Sequence, residues 1–200
     1  QRAIGDPTEH LALRLNETPY WHRARAAFVQ SLIEQRAASA GIRGLLSSVI
    51  ELELHQVSVV RRVLRDPIQR YLLADEVGLG KTVEAGILIR QFVLDHRNDH
   101  SILILVPSAL VSQWQDELSG KFLLDTWLQE SIHILAHDDL EEIRRHGASA
   151  KLVVIDEAHH LSAWSVSSRS RERQIYDAVR QIAGSAERRL LLLSATPVLH

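Results

Sequence analysis

The sequence predicts an α/β fold in which a parallel sheet is covered by helices on both faces. Short apolar runs alternate with segments of helical pattern, and this order of elements is typical of parallel sheets. The runs themselves, such as residues 102–106 (ILILV) and 190–193 (LLLL), do not alternate with polar residues. Strands of that kind have neither face in water, because helices cover both sides.

The predicted elements can be followed along the chain. Residues 1–19 are polar and contain two prolines, whereas apolar residues recur at helical spacing from residue 20 to about 40 and predict a helix ending near Gly41. A second helix, from about 55 to 64, ends before Pro67, because proline disfavours helical geometry in the preceding residue. The elements predicted after it are strand 71–74, helix 81–94, strand 102–106, helix 110–118, strand 132–135, helix 138–145, strand 152–155, helix 171–182 and strand 190–194.

A phosphate-binding loop is predicted where the first strand ends, at residues 75–82 (DEVGLGKT). Glycines let backbone N–H groups face phosphate oxygens, Lys81 adds a positive charge, and the Thr82 hydroxyl is a suitable ligand for Mg²⁺. The loop departs from the general pattern because Asp75 occupies the position of its first glycine. The residues predicted to bind the nucleotide here are Gly78, Leu79, Gly80, Lys81, Thr82 and Val83.

Two more strands end in residues suited to phosphate chemistry. After residues 152–155, Asp156 is placed to hold Mg²⁺ and Glu157 to orient and deprotonate an attacking water. Residues 190–197 (LLLLSATP) form a strand followed by small hydroxyl residues and a proline. Together with the phosphate loop and Lys81, these motifs predict a site that binds and hydrolyses a nucleoside triphosphate.

The motifs DEVGLGKT, DEAHH and SATP resemble motifs I, II and III of superfamily 2 helicase-type ATPases. Residues 54–56 (LHQ), 106–114 (VPSALVSQW) and 168–172 (SRSRE) make the chain most similar to the Snf2 branch. Within that branch it resembles the bacterial ATPases that recycle RNA polymerase, and relatives in phage-defence and DNA-modification islands. The resemblance covers roughly residues 45–200 and implies a RecA-like P-loop NTPase lobe, with the motif III strand between those of motifs I and II.

The resemblance also implies roles for residues outside the catalytic pair. Gln56 would read the adenine edge of ATP, although a single Gln at a helix start is more often a solvated polar residue. Motif III would sense the γ-phosphate state and pass it on through the first histidine of DEAHH, two residues after Glu157. The coupling residues implied in this way are His159, Ser194 and Thr196.

Contacts with nucleic acid are predicted in two places. Pro107 and Ser108 match the motif that touches the tracked strand, and free N–H groups at a helix start suit a phosphate; Ser108 is equally well explained as a helix cap. Arg169 and Arg171 lie in a Ser-rich stretch after motif II and could meet phosphates. Arg180, Arg188 and Arg189 are better explained as a solvated helix face and the loop that follows it.

Several single residues near the motifs have alternative interpretations. His159 and His160 beside Asp156 suggest a metal site, but no spaced His pair or Cys completes it. Asp138 is better explained as a helix cap than as part of a phosphohydrolase dyad. The tryptophans near the motifs could stack on bases, but packing is the expected role of Trp114 and Trp127.

Composition limits the remaining possibilities. The 200 residues, 46% of them hydrophobic, suffice for one full core, and no apolar run of 18 residues predicts a membrane span. There is no Cys, so disulfides and thiolate zinc sites are excluded. The chain has no Met, which predicts a piece of a longer protein, and 20 of its 23 basic residues are Arg, a bias that fits a GC-rich bacterial genome. The lack of Cys is compatible with a reducing compartment, and we expect a bacterial cytoplasmic protein. Its net charge of −2 argues mildly against a strongly basic nucleic-acid binder.

We therefore expect residues 1–45 to be the end of an upstream domain or a linker, and residues 46–200 to be a first RecA-like lobe. The resemblance implies a second lobe in the same longer chain, which would supply an arginine finger worth about 10³ to 10⁵ in rate, so the fragment alone should be nearly inert. The favoured function is an Mg-ATP-driven translocase on double-stranded DNA. The alternatives are a strand-separating superfamily 2 helicase and a nucleotide-gated module that binds another protein subunit.

Overall fold

A single five-stranded parallel sheet organises the protein. The computed structural model describes residues 44, 48, 50, 53–74, 80–96, 99 and 101–195, all within Ile42–His200, the second of the two units into which the chain divides. Segment 1–45 lies outside the described residues except for Gly44, so the predicted helix of residues 20–40 and the domain boundary stay predictions. The strands are β1 (Arg70–Leu73), β2 (Ile102–Val106), β3 (Ile132–Ala136), β4 (Leu152–Ile155) and β5 (Arg189–Leu193).

The order of the strands across the sheet is β1-β5-β4-β2-β3, and every neighbouring pair is parallel. The motif III strand β5 therefore lies between β1, which leads into the phosphate loop, and β4, which carries motif II. That placement and the predicted parallel α/β fold are confirmed. The consequence for function is that three motif-bearing strands end side by side at one edge of the sheet.

Helices cover both faces, and the strand side chains alternate between two cores. Ile102, Ile104 and Val106 of β2 pack into one core, whereas Leu103 and Leu105 pack into the other, and all five are fully buried. The first core is covered by α1 (Leu54–Arg65), α2 (Lys81–Asp95), α3 (Val111–Gly120) and α4 (Asp125–Glu130). The second is covered by α5 (Leu140–Gly147), α6 (Ala158–Trp164) and α7 (Ser170–Ala183).

Most predicted elements lie within two residues of their observed bounds, and α1 ends where predicted, with Asp66 as its C-cap. The predicted cap of α5 is wrong. Asp139, not Asp138, is the N-cap, and its carboxylate accepts a hydrogen bond from the backbone N–H of Glu142 at 3.4 Å. The short helices α4 and α6 were not predicted, because six or seven residues show too little of a helical period to be recognised.

Ser108 is not the helix cap that one reading of the sequence suggested. It begins a 3₁₀ turn, Ser108–Leu110, whose N-cap is Pro107, and no side chain caps either this turn or α3. The backbone N–H of Leu110 donates to the carbonyl of Pro107 at 2.8 Å, which closes the turn. The Ser108 side chain is exposed, so it is available to a ligand outside the protein.

Arg188 is also not the solvated residue that its sequence context suggested. Its guanidinium donates to three backbone carbonyls near the ends of α5 and α7, those of Gly147 at 2.5 Å, Ala148 at 2.8 Å and Ile182 at 3.4 Å. The orphan carbonyls of helix ends attract such donors strongly. Arginine therefore ties helices together at the edge of the sheet opposite the motifs.

Candidate functional site

A cleft of about 380 Å³ opens at the carboxyl edge of the sheet, where β1, β4 and β5 end. Ligands of open α/β sheets bind at this edge because loops and helix N-termini converge there. The lining comes from the start of α2, the end of β4 and one face of α3. It consists of Gly80, Lys81, Thr82, Val83, Leu110, Gln113, Trp114, Glu117, Lys121, Asp156, Glu157 and Ala195.

The phosphate loop enters α2 through Gly80, which adopts the left-handed conformation with φ 85° and ψ 30°. A Cβ at this position would lie 2.2 Å from Gln56 Nε2, so only glycine leaves room for that amide. Lys81, Thr82 and Val83 form the first turn of α2, whose N-terminal N–H groups can bind an anion. Of the predicted loop residues, Gly78 and Leu79 lie outside the described part of the chain.

Gln56 is brought to this loop although it precedes Gly80 by a whole helix and strand. Its side chain is buried, which excludes the solvated alternative, and its Oε1 accepts a hydrogen bond from the Glu53 backbone N–H at 3.2 Å. Glu53 and Gln56 form a capping box that fixes the start of α1. The amide is therefore held beside Gly80 at the end of the phosphate loop, and its role in reading adenine stays a prediction.

Asp156, the first acid of motif II, is held on both of its carboxylate oxygens. Oδ2 accepts a hydrogen bond from the Trp114 indole N–H at 2.9 Å, and Oδ1 accepts one from the Glu157 backbone N–H at 2.9 Å. Burial raises the pKa of Asp156 above its ordinary value, while these two hydrogen bonds and the Lys81 charge oppose the rise. A cation in the cleft would relieve the same burial cost, because it stabilises the ionised carboxylate.

Glu157, the second acid, is linked to motif III through His159. The Glu157 backbone is left-handed, with φ 46° and ψ 48°, and its Oε2 lies 3.2 Å from His159 Nδ1. Ser194 Oγ lies 3.3 Å from the same ring nitrogen and is buried at the end of β5. The His159 ring thus contacts both the motif II acid and the motif III hydroxyl, so the three residues connect motif II with motif III. Thr196, the other predicted coupling residue, lies outside the described residues.

The oxygen donors of the cleft fit a magnesium ion. Mg²⁺ prefers carboxylate, hydroxyl and water oxygens, and it keeps several waters when it is bound with phosphates. Thr82 supplies a hydroxyl at the start of α2, and Asp156 supplies a carboxylate across the cleft. Glu157 adds a buried Oε2 whose nearest partner among the described residues is the His159 ring. The residues present therefore suit Mg²⁺ held mainly by Thr82 and Asp156.

Comparison with known proteins assigns the chain to a family. A model described as "SNF2-related domain" matches residues 52–134, and one described as "DEAD/DEAH box helicase" matches residues 126–199. The chain carries a Snf2-family helicase-like ATPase domain. The solved "Sulfolobus solfataricus SWI2/SNF2 ATPase core in complex with dsDNA" has the same fold, with a TM-score of 0.58 at 19% identity over 76% of this chain and 33% of that chain.

Bacterial relatives of this Snf2-family domain are more similar to it in sequence than the protein of that solved structure is. The RNA polymerase-associated protein RapA of Yersinia enterocolitica is 38% identical over 88% of this chain, and that of Proteus mirabilis is 34% identical over 92%. The matches cover 19% and 20% of those proteins, so the chain spans about one fifth of their length.

The residues predicted to meet nucleic acid do not all lie at the cleft. Pro107 and the exposed Ser108 follow β2 at the same sheet edge, immediately before the helix that lines the cleft. In contrast, Arg169 is ion-paired with Glu172 at 2.7 Å, and Arg171 Nη2 donates to the Asp138 carbonyl at 3.2 Å. Both arginines remain exposed enough to bind phosphate, but each must share its guanidinium with a protein partner.

Sequence reasoning missed the wall of the cleft formed by α3. Trp114 was expected only to pack, yet it donates to a motif II acid. Glu117 lies on the same face, accepting from Gln113 Nε2 at 3.0 Å and pairing with Lys121 Nζ at 3.4 Å. The spacing of these residues marks one helix face, but sequence alone does not show which face covers a ligand site.

Within the described ranges, no helix is long and apolar enough to cross a membrane. The same ranges contain no cluster of three or more His, Cys, Asp or Glu residues arranged to hold a metal ion. His159 and His160 lie with their ring centroids 4.3 Å apart.

Proposed function

We propose that this Snf2-family domain binds Mg-ATP in the cleft and that the natural full-length protein hydrolyses it to move along double-stranded DNA. One observation carries the proposal: the phosphate-binding residues Lys81 and Thr82 and both motif II acids line the same cleft at the carboxyl edge of the sheet. A module that only bound nucleotide would not need a second acid beside the metal-binding carboxylate.

Each residue then has a chemical task. Lys81 and the N–H groups at the start of α2 bind the β- and γ-phosphates, and Thr82 and Asp156 hold the metal. Mg²⁺, when bound, neutralises charge on the phosphate oxygens. Glu157 accepts a proton from the attacking water, whose oxygen forms a bond to the γ-phosphorus as the bond to the β-phosphate oxygen breaks. His159 and Ser194 lie where loss of the γ-phosphate would change the Glu157 environment, which supports their coupling role.

The partners belong to the same proposal. The solved structure with this fold was determined with double-stranded DNA, and the relatives are named for association with RNA polymerase. We therefore propose DNA as the track, RNA polymerase or another protein subunit as the partner, and the bacterial cytoplasm as the compartment. A second RecA-like lobe of the longer protein would supply the arginine finger and close the cleft. The alternative to association with RNA polymerase is a role of the protein in phage defence.

Nucleotide binding is tested by calorimetry with Mg-ADP and Mg-ATP on the isolated chain. We expect weak binding by the wild type and loss of most of that affinity in Lys81→Ala. Lys151→Ala is the matched control, because Lys151 is an exposed lysine paired with Asp99 and does not line the cleft. Equal affinities for the wild type and Lys81→Ala would refute the assignment of the phosphate loop.

Hydrolysis is tested separately in the full-length protein. Glu157→Gln should retain ATP binding and trap the nucleotide, because the substitution removes the base and leaves Asp156 and the phosphate loop intact. A wild-type hydrolysis rate in Glu157→Gln would place the general base elsewhere.

The DNA track is tested by ATPase rates and by product analysis with the full-length protein. Duplex DNA should raise the ATPase rate, and salt should weaken that effect as counterions compete for the phosphates. A translocase should displace a triplex strand from an intact duplex, whereas a helicase would release single strands from a partial duplex. Strand release would favour the helicase, and absence of stimulation by any DNA or RNA would leave only the interaction module.

A further inference from the structure

Trp114 combines two features that packing alone does not explain. It is almost fully buried, at 1% exposure, and its indole N–H points at the Asp156 carboxylate, which is itself only 9% exposed. The indole nitrogen is a donor only, so in this 2.9 Å contact Asp156 Oδ2 is the acceptor. Phenylalanine would fill most of the same core volume without that donor, which indicates that the N–H itself has a task.

The helix that carries Trp114 begins at the predicted nucleic-acid contact. The 3₁₀ turn Ser108–Leu110 runs directly into α3, and Trp114 lies one helical turn further on. Ser108 is exposed at the start of this turn, whereas Leu110 lines the nucleotide cleft. Because a helix moves as a rigid unit and protein interiors are densely packed, a displacement of the turn must also displace the indole.

We propose that Trp114 is a positioning residue that couples the 3₁₀ turn to the metal-binding carboxylate. Contact of the turn with a nucleic-acid backbone shifts α3, and the Trp114 N–H carries that shift to Asp156 Oδ2. The carboxylate is thereby oriented for the metal when the track is bound. This inference rests on the proposed function, since it needs Asp156 as a metal ligand and residues 107–108 as a nucleic-acid contact.

The geometry limits the route of this coupling. Oδ1 of Asp156 accepts a hydrogen bond from the Glu157 backbone N–H. Rotation of the carboxylate about its Cβ–Cγ bond would therefore break or strain that hydrogen bond as well as the one from Trp114. A change at Trp114 therefore reaches both motif II acids at once. Elsewhere in the described chain, Trp127 offers a contrast, because its half-buried ring lies under the Arg90 guanidinium, 5.3 Å from the centroid, and does not line the cleft.

The test compares Trp114→Phe with the matched control Trp127→Phe in the full-length protein. A hydrogen bond to a charged group is worth roughly tenfold to a hundredfold in an equilibrium constant, and we take the lower end for its effect on rate. We expect Trp114→Phe to lower the ATPase kcat roughly tenfold, to raise the Mg²⁺ concentration for half-maximal rate, and to bring the stimulation by duplex DNA close to onefold. The affinity for ATP should stay within about twofold, because the phosphate loop is untouched. Trp127→Phe should change none of these quantities.

A purely structural role would lower the melting temperature but leave the Mg²⁺ dependence and the DNA stimulation factor of the folded molecules unchanged, and that result would overturn the proposal.

If Trp114→Phe does not fold, the indole N–H resonances of the wild-type protein provide the test by NMR. The Trp114 resonance should shift when Mg-ATP and duplex DNA are added together, and a resonance unaffected by either would overturn the proposal.

Failure of the proposed function is distinguishable from failure of this inference. A wild type without DNA-stimulated hydrolysis refutes the translocase, and the Mg²⁺ dependence of binding by a non-hydrolysable ATP analogue then tests Trp114 alone. The Mg²⁺ concentration for half-maximal binding of the analogue should rise in Trp114→Phe and not in Trp127→Phe. An active wild type with an equally stimulated Trp114→Phe refutes only the coupling.

Discussion

At the scale of single residues, Glu157 shows that the site is strained. It is one of two non-glycine residues with positive φ in the described chain, the other being Leu123 with φ 53°. The left-handed conformation costs a residue with a Cβ on the order of 1 kcal/mol, and such strain persists at functional positions when the surroundings impose it. In this conformation Glu157 Oε2 lies 3.2 Å from His159 Nδ1.

The first prediction follows from this strain. Glu157→Gly should raise the free energy of unfolding by about 1 kcal/mol, whereas Glu157→Gln should not, because glutamine keeps the Cβ. Both variants should lose hydrolysis. Leu123→Gly is the control outside the site: Leu123 is exposed, so the variant should be similarly stabilised and fully active. Urea denaturation measures the stabilities, and a destabilised Glu157→Gly would show that the conformation is not strained.

The second prediction concerns His137, a buried histidine behind motif II. Burial lowers its pKa below that of a free imidazole, with a further contribution from the His160 charge, while hydrogen bonds to the Leu105 and Asp156 backbone and the charge of Asp138 oppose it. The unfolded chain therefore binds more protons than the native state just below pH 6.5, the ordinary histidine pKa. This contribution to stability is fully present above that pH and is lost as the pH falls.

For one such histidine, the free energy of unfolding falls by up to about 1.4 kcal/mol for each pH unit below the ordinary pKa. His137→Phe should flatten the fall of unfolding free energy between pH 6.5 and pH 5, measured by urea denaturation across that range. His133→Phe should flatten it less, because His133, whose pKa burial also lowers, is less buried. An unchanged slope in His137→Phe would contradict the prediction.

At the scale of elements, α2 packs closely on the segment that follows α3. A Cβ on Gly86 would lie 2.2 Å from Phe122 Cε2 and 2.3 Å from its Cζ, and Phe122 is fully buried. Glycine inside a helix normally costs stability, and here it allows the ring to approach the helix backbone. Close packing of α2 matters for the proposed function because its first turn carries Lys81 and Thr82.

The third prediction compares two glycines of the helices. Gly86→Ala should destabilise the protein by about 1 to 2 kcal/mol, because overpacking outweighs the gain in helix propensity. Gly120→Ala should instead stabilise it by up to about 1 kcal/mol, since no heavy atom lies within 4 Å of the added methyl group. Phe122→Leu should rescue part of the loss in Gly86→Ala. Equal effects of the two alanines in thermal unfolding would rule out the proposed clash.

At the scale of the whole molecule, the two edges of the sheet have different tasks. The carboxyl edge carries the cleft proposed to bind nucleotide, whereas arginines satisfy helix-end carbonyls at the opposite edge. Arg70 donates to the carbonyls of Ala183 at 2.6 Å, Ser185 at 3.0 Å and Arg188 at 3.2 Å. Arg188 in turn binds carbonyls near the ends of α5 and α7. These arginines link β1, α7, α5 and the loop before β5.

The fourth prediction is that this edge serves stability without affecting the site. Arg188→Lys should cost about 1 to 3 kcal/mol of unfolding free energy, because lysine lacks the planar fork that reaches several carbonyls at once. Its affinity for Mg-ADP should equal that of the wild type. Arg180→Lys is the control, an exposed position on α7 expected to change stability by less than about 0.5 kcal/mol. Weaker nucleotide binding by Arg188→Lys would contradict this separation.

The sequence by itself determined the strands, their parallel arrangement and the motif residues Lys81, Thr82, Asp156 and Glu157. Strands buried on both faces must be apolar throughout, and phosphate chemistry requires particular residue types at fixed short spacing. Both signals are local and can be recognised without knowing which distant residues meet.

Only the tertiary structure decided the contacts that hold those motifs in place. Trp114 meets Asp156 across 42 residues, and Gln56 reaches Gly80 across a helix and a strand. Arg188, which the sequence suggested was solvated, binds backbone carbonyls about 40 residues away. Such contacts depend on which helix face turns toward the cleft and on where distant helix ends meet. The physical reason is that burial and hydrogen-bond partners are properties of the packed chain. The same local sequence around a Trp or an Arg can therefore place that residue in the core, on the surface or in a functional site.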